Sequence, residues 1–363
     1  MVFQPMSQTK ALKHAFPWTK TPLIISAPMR LIAGPDLAIA VSQAGGLGFI
    51  GPGTNPGDAA SSLHSARELL SSNEESYSDL VGSTPGLLPI GIGFFVWAGN
   101  LDAAVEAISA YPPAAVWLFA PRDGQRELEM WTRRIREGSS RTQVWIQVGS
   151  LTEAESAVAS PEAPDVLVLQ GTDAGGHGLV AGASIISLMP EVTDALKRST
   201  NEKKKDITLI AAGGIADGRG VAAALTLGAA GAAMGTRFLA SSEARISAGY
   251  KREVVRASDG GQSTLRTTLY DFLRGTTDWP ENYNGRGLKN RSLEDDRAGM
   301  TREENKRLYD QAAETSWGPE GRLTTYAGTA VGLIQHIENA SDIVGRVRIE
   351  AIQVIKDTAA VLE

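Results

Sequence analysis

The chain has 363 residues, 42% of them hydrophobic and 21% charged, an ordinary globular composition that accommodates a β/α barrel of about 250 residues with insertions as one unit. A net charge of −6 gives no electrostatic reason to approach nucleic acid or anionic lipid, and the basic run Lys203, Lys204, Lys205 is too short to change that. The lack of cysteine excludes disulfides and thiolate chemistry, and four dispersed histidines argue against a metal site.

Met1 to Lys20 has no apolar core of a secretory signal, so a cytoplasmic location is expected. In chain order, Leu23 to Ala27, Leu47 to Ile50, Pro89 to Phe95 and Ala115 to Phe119 are short apolar runs rich in branched residues. Val144 to Val148, Val166 to Gln170, Thr208 to Ala212 and Ala230 to Met234 continue the series, each followed by helical periodicity. Continuous rather than alternating apolar character marks strands buried on both faces, as in parallel sheets covered by helices.

Eight strand-helix units predict an α/β protein, a (β/α)8 TIM barrel in which residues 1–363 form a single domain. Helix starts are expected at Asp36 behind Pro35, at a Thr152–Glu155 capping box, and at Asp217, whose helix runs through Leu227. From Ala240 to Gly321 the rhythm gives way to a stretch rich in Asp, Arg, Asn and Gly, with Trp279-Pro280 and Tyr283 embedded. It is read as an insertion and a candidate lid before extra terminal helices, expected over Tyr326 to Ile337 and Ile343 to Leu362.

Catalytic groups of such a barrel sit at the C-terminal ends of its strands. Gly213-Gly214-Ile215 follows the seventh predicted strand and Gly235-Thr236-Arg237-Phe238 the eighth. A single Gly-Gly pair more often just tightens a turn, but two such loops at adjacent strand ends favour a phosphate cradle, with Thr236 and Arg237 as further donors. After the sixth strand, Gln170-Gly171-Thr172-Asp173-Ala174-Gly175-Gly176-His177-Gly178 surrounds one imidazole with glycine, making His177 the best general-base candidate. Asp173 either orients it or lies outside the site.

Ala27-Pro28-Met29 ends the first strand, where the Met29 sulfur can lie against a flat ring or in the core. Trp97 and Gln147 also face the mouth in this register, while Phe94 and Phe95 fit core packing equally well. P-loop, serine-hydrolase, zinc-protease and dinucleotide fingerprints are all missing from the sequence.

Ala27-Pro28-Met29, Gln170 to His177, Ala211 to Ile215 and Gly235 to Phe238 together resemble the nitronate monooxygenase family, formerly 2-nitropropane dioxygenases. Val255 to Gly261 and Trp279 to Gly287 resemble the C-terminal extension of its fungal-type members. The resemblance implies an FMN-binding barrel that oxidises alkyl nitronates, such as propionate 3-nitronate, with O2 to a carbonyl compound and nitrite. His177 matches the catalytic histidine; Gln170, Gly175, Gly176, Gly214, Gly235 and Thr236 match residues that hold FMN, with Met29 beside its ring. Ala27, Pro28, Gln147 and Gly213 complete the expected cofactor set.

The partners expected are a small nitronate or nitroalkane and O2, without nucleic acid or membrane. One departure stands out: many bacterial members carry asparagine where this chain has Gly93. Competing expectations are an NAD(P)H-dependent FMN enoyl-thioester reductase, a secondary-pathway flavin oxidoreductase on the same barrel, and a flavin-binding scaffold without turnover.

Overall fold

A strand apolar on both faces needs cover on both, and a ring of parallel strands sheathed in helices provides it. The computed structural model describes residues 5–72, 74–198 and 207–361. Its first nine strands are β1 Leu23–Ser26, β2 Leu47–Ile50, β3 Leu88–Phe95, β4 Pro113–Phe119, β5 Gln143–Val148, β6 Val166–Gln170, β7 Gly176–Leu179, β8 Thr208–Ala212 and β9 Gly231–Met234. All but β7 form a closed barrel in the order β1-β2-β3-β4-β5-β6-β8-β9. Closure is made by β9 returning to β1, with Leu23 opposite Gly231 and Ser26 opposite Met234. The eight predicted strands are thus the barrel staves; the Lys203 to Lys205 run lies outside the described residues.

Large rings fill the barrel. Phe49 sits 5.1 Å from both Trp117 and Trp145, centroid to centroid, and Gly91 makes the room, since a Cβ there would lie 2.3 Å from the Phe49 ring. Phe16, just after the helix Pro5–Ala15, meets Trp145 at 5.9 Å, and Gln8 of that helix accepts a hydrogen bond from the Leu209 N–H at the start of β8. The N-terminal helix therefore stops one end of the barrel, leaving the C-terminal mouth for chemistry.

The helix Ala340–Ala360 confirms the last predicted helix and packs on Gly218–Thr226. Arg348 from it is only 9% exposed and donates to the carbonyls of Pro22, Ala44 and Gly45 at 3.3, 3.1 and 2.7 Å. Arg348→Met keeps the apolar stem but removes charged donors from three carbonyls, and is expected to cost about 3 kcal/mol. A lowered urea midpoint checks this; an unchanged midpoint would show that water replaces the guanidinium.

Three local expectations are corrected. The capping box is Ser150–Glu153, not Thr152–Glu155: the Ser150 hydroxyl accepts from the Glu153 N–H, and the Glu153 carboxylate accepts from the Gly149 N–H at 2.7 Å. Asp36 lies in the first turn of its helix with Gly34 as the cap, and pairs instead with Arg245. Asp217 does cap its helix, accepting from the Gly220 N–H. Tyr326 to Ile337 holds one 3-10 turn, Thr329–Leu333, rather than a helix. Its backbone is drawn into tertiary bonds: the Gly328 N–H donates to the Thr236 hydroxyl, and the Thr329 N–H to the Asp173 carbonyl.

The stretch from Ala240 to Gly321 contains the helices Ala248–Arg256, Leu269–Arg274, Arg291–Arg297 and Arg302–Asp310, with strands β10 Thr264–Thr267 and β11 Tyr283–Leu288. β11 pairs antiparallel with both β10 and β7, which ties this stretch to the glycine-rich segment after β6.

Candidate active site

A cavity of ≈830 Å³ opens at the C-terminal ends of the strands. The histidine and the cofactor set expected from the sequence line it, Asp173 and Arg237 standing outside: Ala27, Pro28 and Met29 after β1; Gln147 on β5; Gln170, Gly175, Gly176 and His177 around β6 and β7; Gly213 and Gly214 after β8; Gly235 and Thr236 after β9. Trp97 lines it as well. The guanidiniums of Arg30, Arg245 and Arg274 line it with one carboxylate, Asp278; Arg245 is paired with Asp36, and Arg30 and Arg274 favour an anionic occupant. Burial, with Arg274 adding to it, holds the Arg30 guanidinium below its ordinary pKa.

His177 is held on all sides. β7 sets it opposite Gly285 of β11, and the Gln170 amide donates to its carbonyl at 3.1 Å. Its Nε2 lies 2.7 Å from Asp271 Oδ1. The Trp279 ring stacks on the imidazole at 3.7 Å with an interplanar angle of 4°, and Tyr326 stands 5.4 Å away. The Tyr326 hydroxyl donates to the same Asp271 oxygen at 2.9 Å. Burial, reinforced by Asp271, pushes the phenol far above its usual pKa. Asp173 is not the partner of His177; its carboxylate accepts from the Thr329 hydroxyl at 2.9 Å.

The glycines serve two purposes. Gly213 and Gly214 have φ of 95° and 76°, a left-handed backbone that side chains resist, and this turns the chain between β8 and the helix Gly218–Thr226. At Gly235 a Cβ would meet nothing nearer than 3.8 Å, so the glycine leaves open space in the cavity wall. Gly175 is different: a Cβ would lie 2.4 Å from the Gly328 nitrogen, so it serves chain packing. At Gly93 a Cβ would fall 2.4 Å from Pro28 Cβ, so the proline fills the space an asparagine would need.

Thr236 accepts from the Gly328 N–H at 3.0 Å, which leaves its hydroxyl proton to donate elsewhere. The expectation for Arg237 is corrected: it is 2% exposed, pairs with Glu338 and lies outside the cavity lining. Burial, with Arg346 adding to it, lowers its pKa to about 10. One residue further along the short helix Thr236–Leu239 turns the side chain away from the mouth.

A phosphorylated flavin fits this donor set. Gln147 accepts from the Trp117 indole at 2.9 Å, but its own buried Nε2 has no partner. An amide donor without an acceptor costs about 1–3 kcal/mol when buried, so its place in the cavity wall suits a ligand carrying ring carbonyls or nitrogens. Among the described residues no His, Cys, Asp and Glu cluster is suited to a metal, and no helix is long and apolar enough to cross a membrane.

The sequence placed neither Asp271 nor Tyr326 at the site, and marked Trp279 only as part of an insertion that resembles the fungal-type extension. Asp271 lies 94 residues beyond His177, and no local pattern marks it.

A barrel with a cofactor-sized mouth and one restrained imidazole belongs to a class of enzymes rather than to one activity. Comparison with known proteins narrows the class. A sequence model described as nitronate monooxygenase matches residues 102–344. The chain is 55% identical to nitronate monooxygenase npaC of Metarhizium robertsii, with 97% of each chain covered. It is 38% identical to a nitronate monooxygenase of Neurospora crassa, over 96% of this chain and 94% of that one. Among solved structures, FabK from Thermotoga maritima superposes with a TM-score of 0.70 at 26% identity, covering 96% of this chain and 98% of the other. The chain therefore belongs to the nitronate monooxygenase family, a family of flavin-dependent oxidoreductases, and resembles its fungal members.

Proposed function

We propose that the protein uses FMN and O2 to oxidise alkyl nitronates, propionate 3-nitronate among them, to a carbonyl compound and nitrite. The observation that carries this reading is the convergence on one cavity of two glycine-bearing strand exits, the unpartnered Gln147 amide and the restrained His177. The backbone of Gly213, Gly214 and Gly235, with the Thr236 hydroxyl, would hold the phosphate, and Ala27, Pro28, Met29, Gln147, Gln170, Gly175 and Gly176 would hold the ring. When bound, FMN supplies the one-electron chemistry that lets a nitronate react with O2.

The remaining work falls to side chains. Arg30 and Arg274 draw an anion toward the mouth. Phe95, Trp97, Phe119 and Trp279 form an aromatic wall that excludes water from the nitro group. His177 hydrogen-bonds the nitronate, or takes the α-proton of a neutral nitroalkane. The stretch from Ala240 to Gly321 acts as a lid whose Trp279 covers the imidazole, tied down where Arg122 donates to the Asp278 carbonyl at 2.8 Å. We assign the protein to the cytosol, acting on small molecules.

Anaerobic mixing of the flavin-loaded protein with propionate 3-nitronate, and in parallel with NADPH, tests the reading. Flavin bleaching by the nitronate, with nitrite on admitting air and no response to NADPH, is expected. Reduction by NADPH alone would move the chain to the reductase reading.

A further inference from the structure

We infer that Asp271 is a positioning residue that holds His177 as the Nε2–H tautomer and leaves Nδ1 as the nitrogen that takes the substrate proton. The inference rests on the nitroalkane chemistry proposed above.

Asp271 is 5% exposed, and a buried carboxylate persists only when donors surround it. Its Oδ1 receives three: His177 Nε2 at 2.7 Å, the Tyr326 hydroxyl at 2.9 Å and the Thr276 hydroxyl at 3.4 Å. An ionised carboxylate only accepts, so the hydrogen between it and the imidazole is carried by Nε2. Tyr326 cannot reverse the arrangement, because burial beside Asp271 keeps its phenol protonated and donating.

The other groups around the ring fix its orientation without competing for its nitrogens. Trp279 stacks flat on one face. Gly285 lets β11 run close along the edge, where a Cβ would lie 3.4 Å from His177 Nε2. The Arg274 guanidinium lies 5.5 Å from the Tyr326 ring, and no Lys or Arg among the described residues forms a salt bridge with Asp271. The imidazole is therefore the nearest partner of the Asp271 carboxylate, which makes Asp271 the counter-charge for the imidazolium formed by proton transfer.

In the step assigned to this pair, the α-hydrogen of a neutral nitroalkane leaves as a proton to Nδ1. The C–H electron pair forms the C=N bond, and the negative charge moves to the nitro oxygens. Nitronate and imidazolium result, and no oxidant is consumed. A substrate supplied as nitronate skips this step.

The test compares wild type, Asp271→Asn and Asp271→Glu as flavin-loaded enzymes on nitroethane and on ethyl nitronate. Asparagine can present its amide to Nε2 and favour the other tautomer. Asp271→Asn is expected to lose about 10²-fold or more in kcat/KM for nitroethane while staying within about tenfold on the nitronate, and Asp271→Glu to recover part of the loss. Equal losses on both substrates, or no loss, would overturn the proposal.

If Asp271→Asn does not fold, 15N-histidine NMR of the wild-type holoenzyme decides. The chain has only four histidines, and the His177 signal is assigned by its disappearance in His177→Asn. An Nε2–H tautomer is expected; an Nδ1–H tautomer overturns the assignment. Wild-type enzyme inactive on ethyl nitronate would count against the proposed function instead, with the NMR measurement still deciding the tautomer.

Discussion

His177→Asn is expected to bind FMN as the wild type does and to lose about 10²- to 10⁴-fold in kcat/KM on neutral nitroalkanes, the range of a removed general base. Asparagine is the better variant because its amide can still donate toward Asp271. His177→Ala leaves that buried carboxylate with the Tyr326 and Thr276 hydroxyls alone, adding a structural cost of about 1–3 kcal/mol that would blur the reading. Flavin content should hold, because the open Gly235 position and the unpartnered Gln147 amide lie on other strands. On preformed nitronates the loss should be smaller, since only hydrogen bonding to the anion is removed. Stopped-flow flavin reduction with both substrate forms measures the difference, and full nitroalkane activity in either variant would sink the histidine's role.

Gly235→Ala is expected to leave the apoprotein fold intact and to weaken FMN binding by at least about tenfold, with Gly235→Leu purified free of flavin. The new Cβ at Gly235 meets nothing nearer than 3.8 Å, from Ala27 Cβ and Met29 Sδ, and the backbone there has φ −101°, which alanine tolerates. Any loss must then come from what the glycine was leaving room for. A phosphate drawn against the backbone N–H groups at this strand end cannot approach past a methyl.

Gly175→Ala provides the contrast. Its Cβ would collide with the Gly328 nitrogen at 2.4 Å, so it should lower thermal stability whether or not flavin is present. Fluorescence titration with FMN and melting of the apoproteins separate the two variants. Unchanged FMN affinity in Gly235→Ala would place the phosphate elsewhere in the cavity.

The barrel was legible because its information is local and repeated. Continuous apolar runs such as Val166 to Leu169 mark strands buried on both faces, and eight strand-helix units in sequence favour closure. The Asp217 cap was readable for the same reason, as one side chain and one N–H three residues apart. Thr152–Glu155 failed because Ser150–Glu153 is an equally good pattern two residues earlier, and only the start of the helix chooses between them.

Strand-end position likewise marked His177, Gly213, Gly214, Gly235 and Thr236, since a barrel sends those ends to one mouth. It failed for Arg237, which follows Thr236 directly but points at Glu338, because a turn of helix sends neighbouring side chains in different directions. The expected helix over Tyr326 to Ile337 failed for another reason. Its apolar spacing is real, but Gly328 and Thr329 find partners in Thr236 and Asp173 that an isolated segment lacks.

What the sequence determined by itself was the barrel, the order of its staves, and the strand-end residues that meet at its mouth, because each depends on short-range periodicity and on one rule about where strands end. What only the tertiary structure decided was the company His177 keeps. Asp271, Trp279 and Tyr326 come from loops and short elements far along the chain, brought to the imidazole by the pairing of β7 with β11. Contacts across such distances in sequence leave no periodicity to read, because they are selected by packing and hydrogen bonding in the folded chain alone.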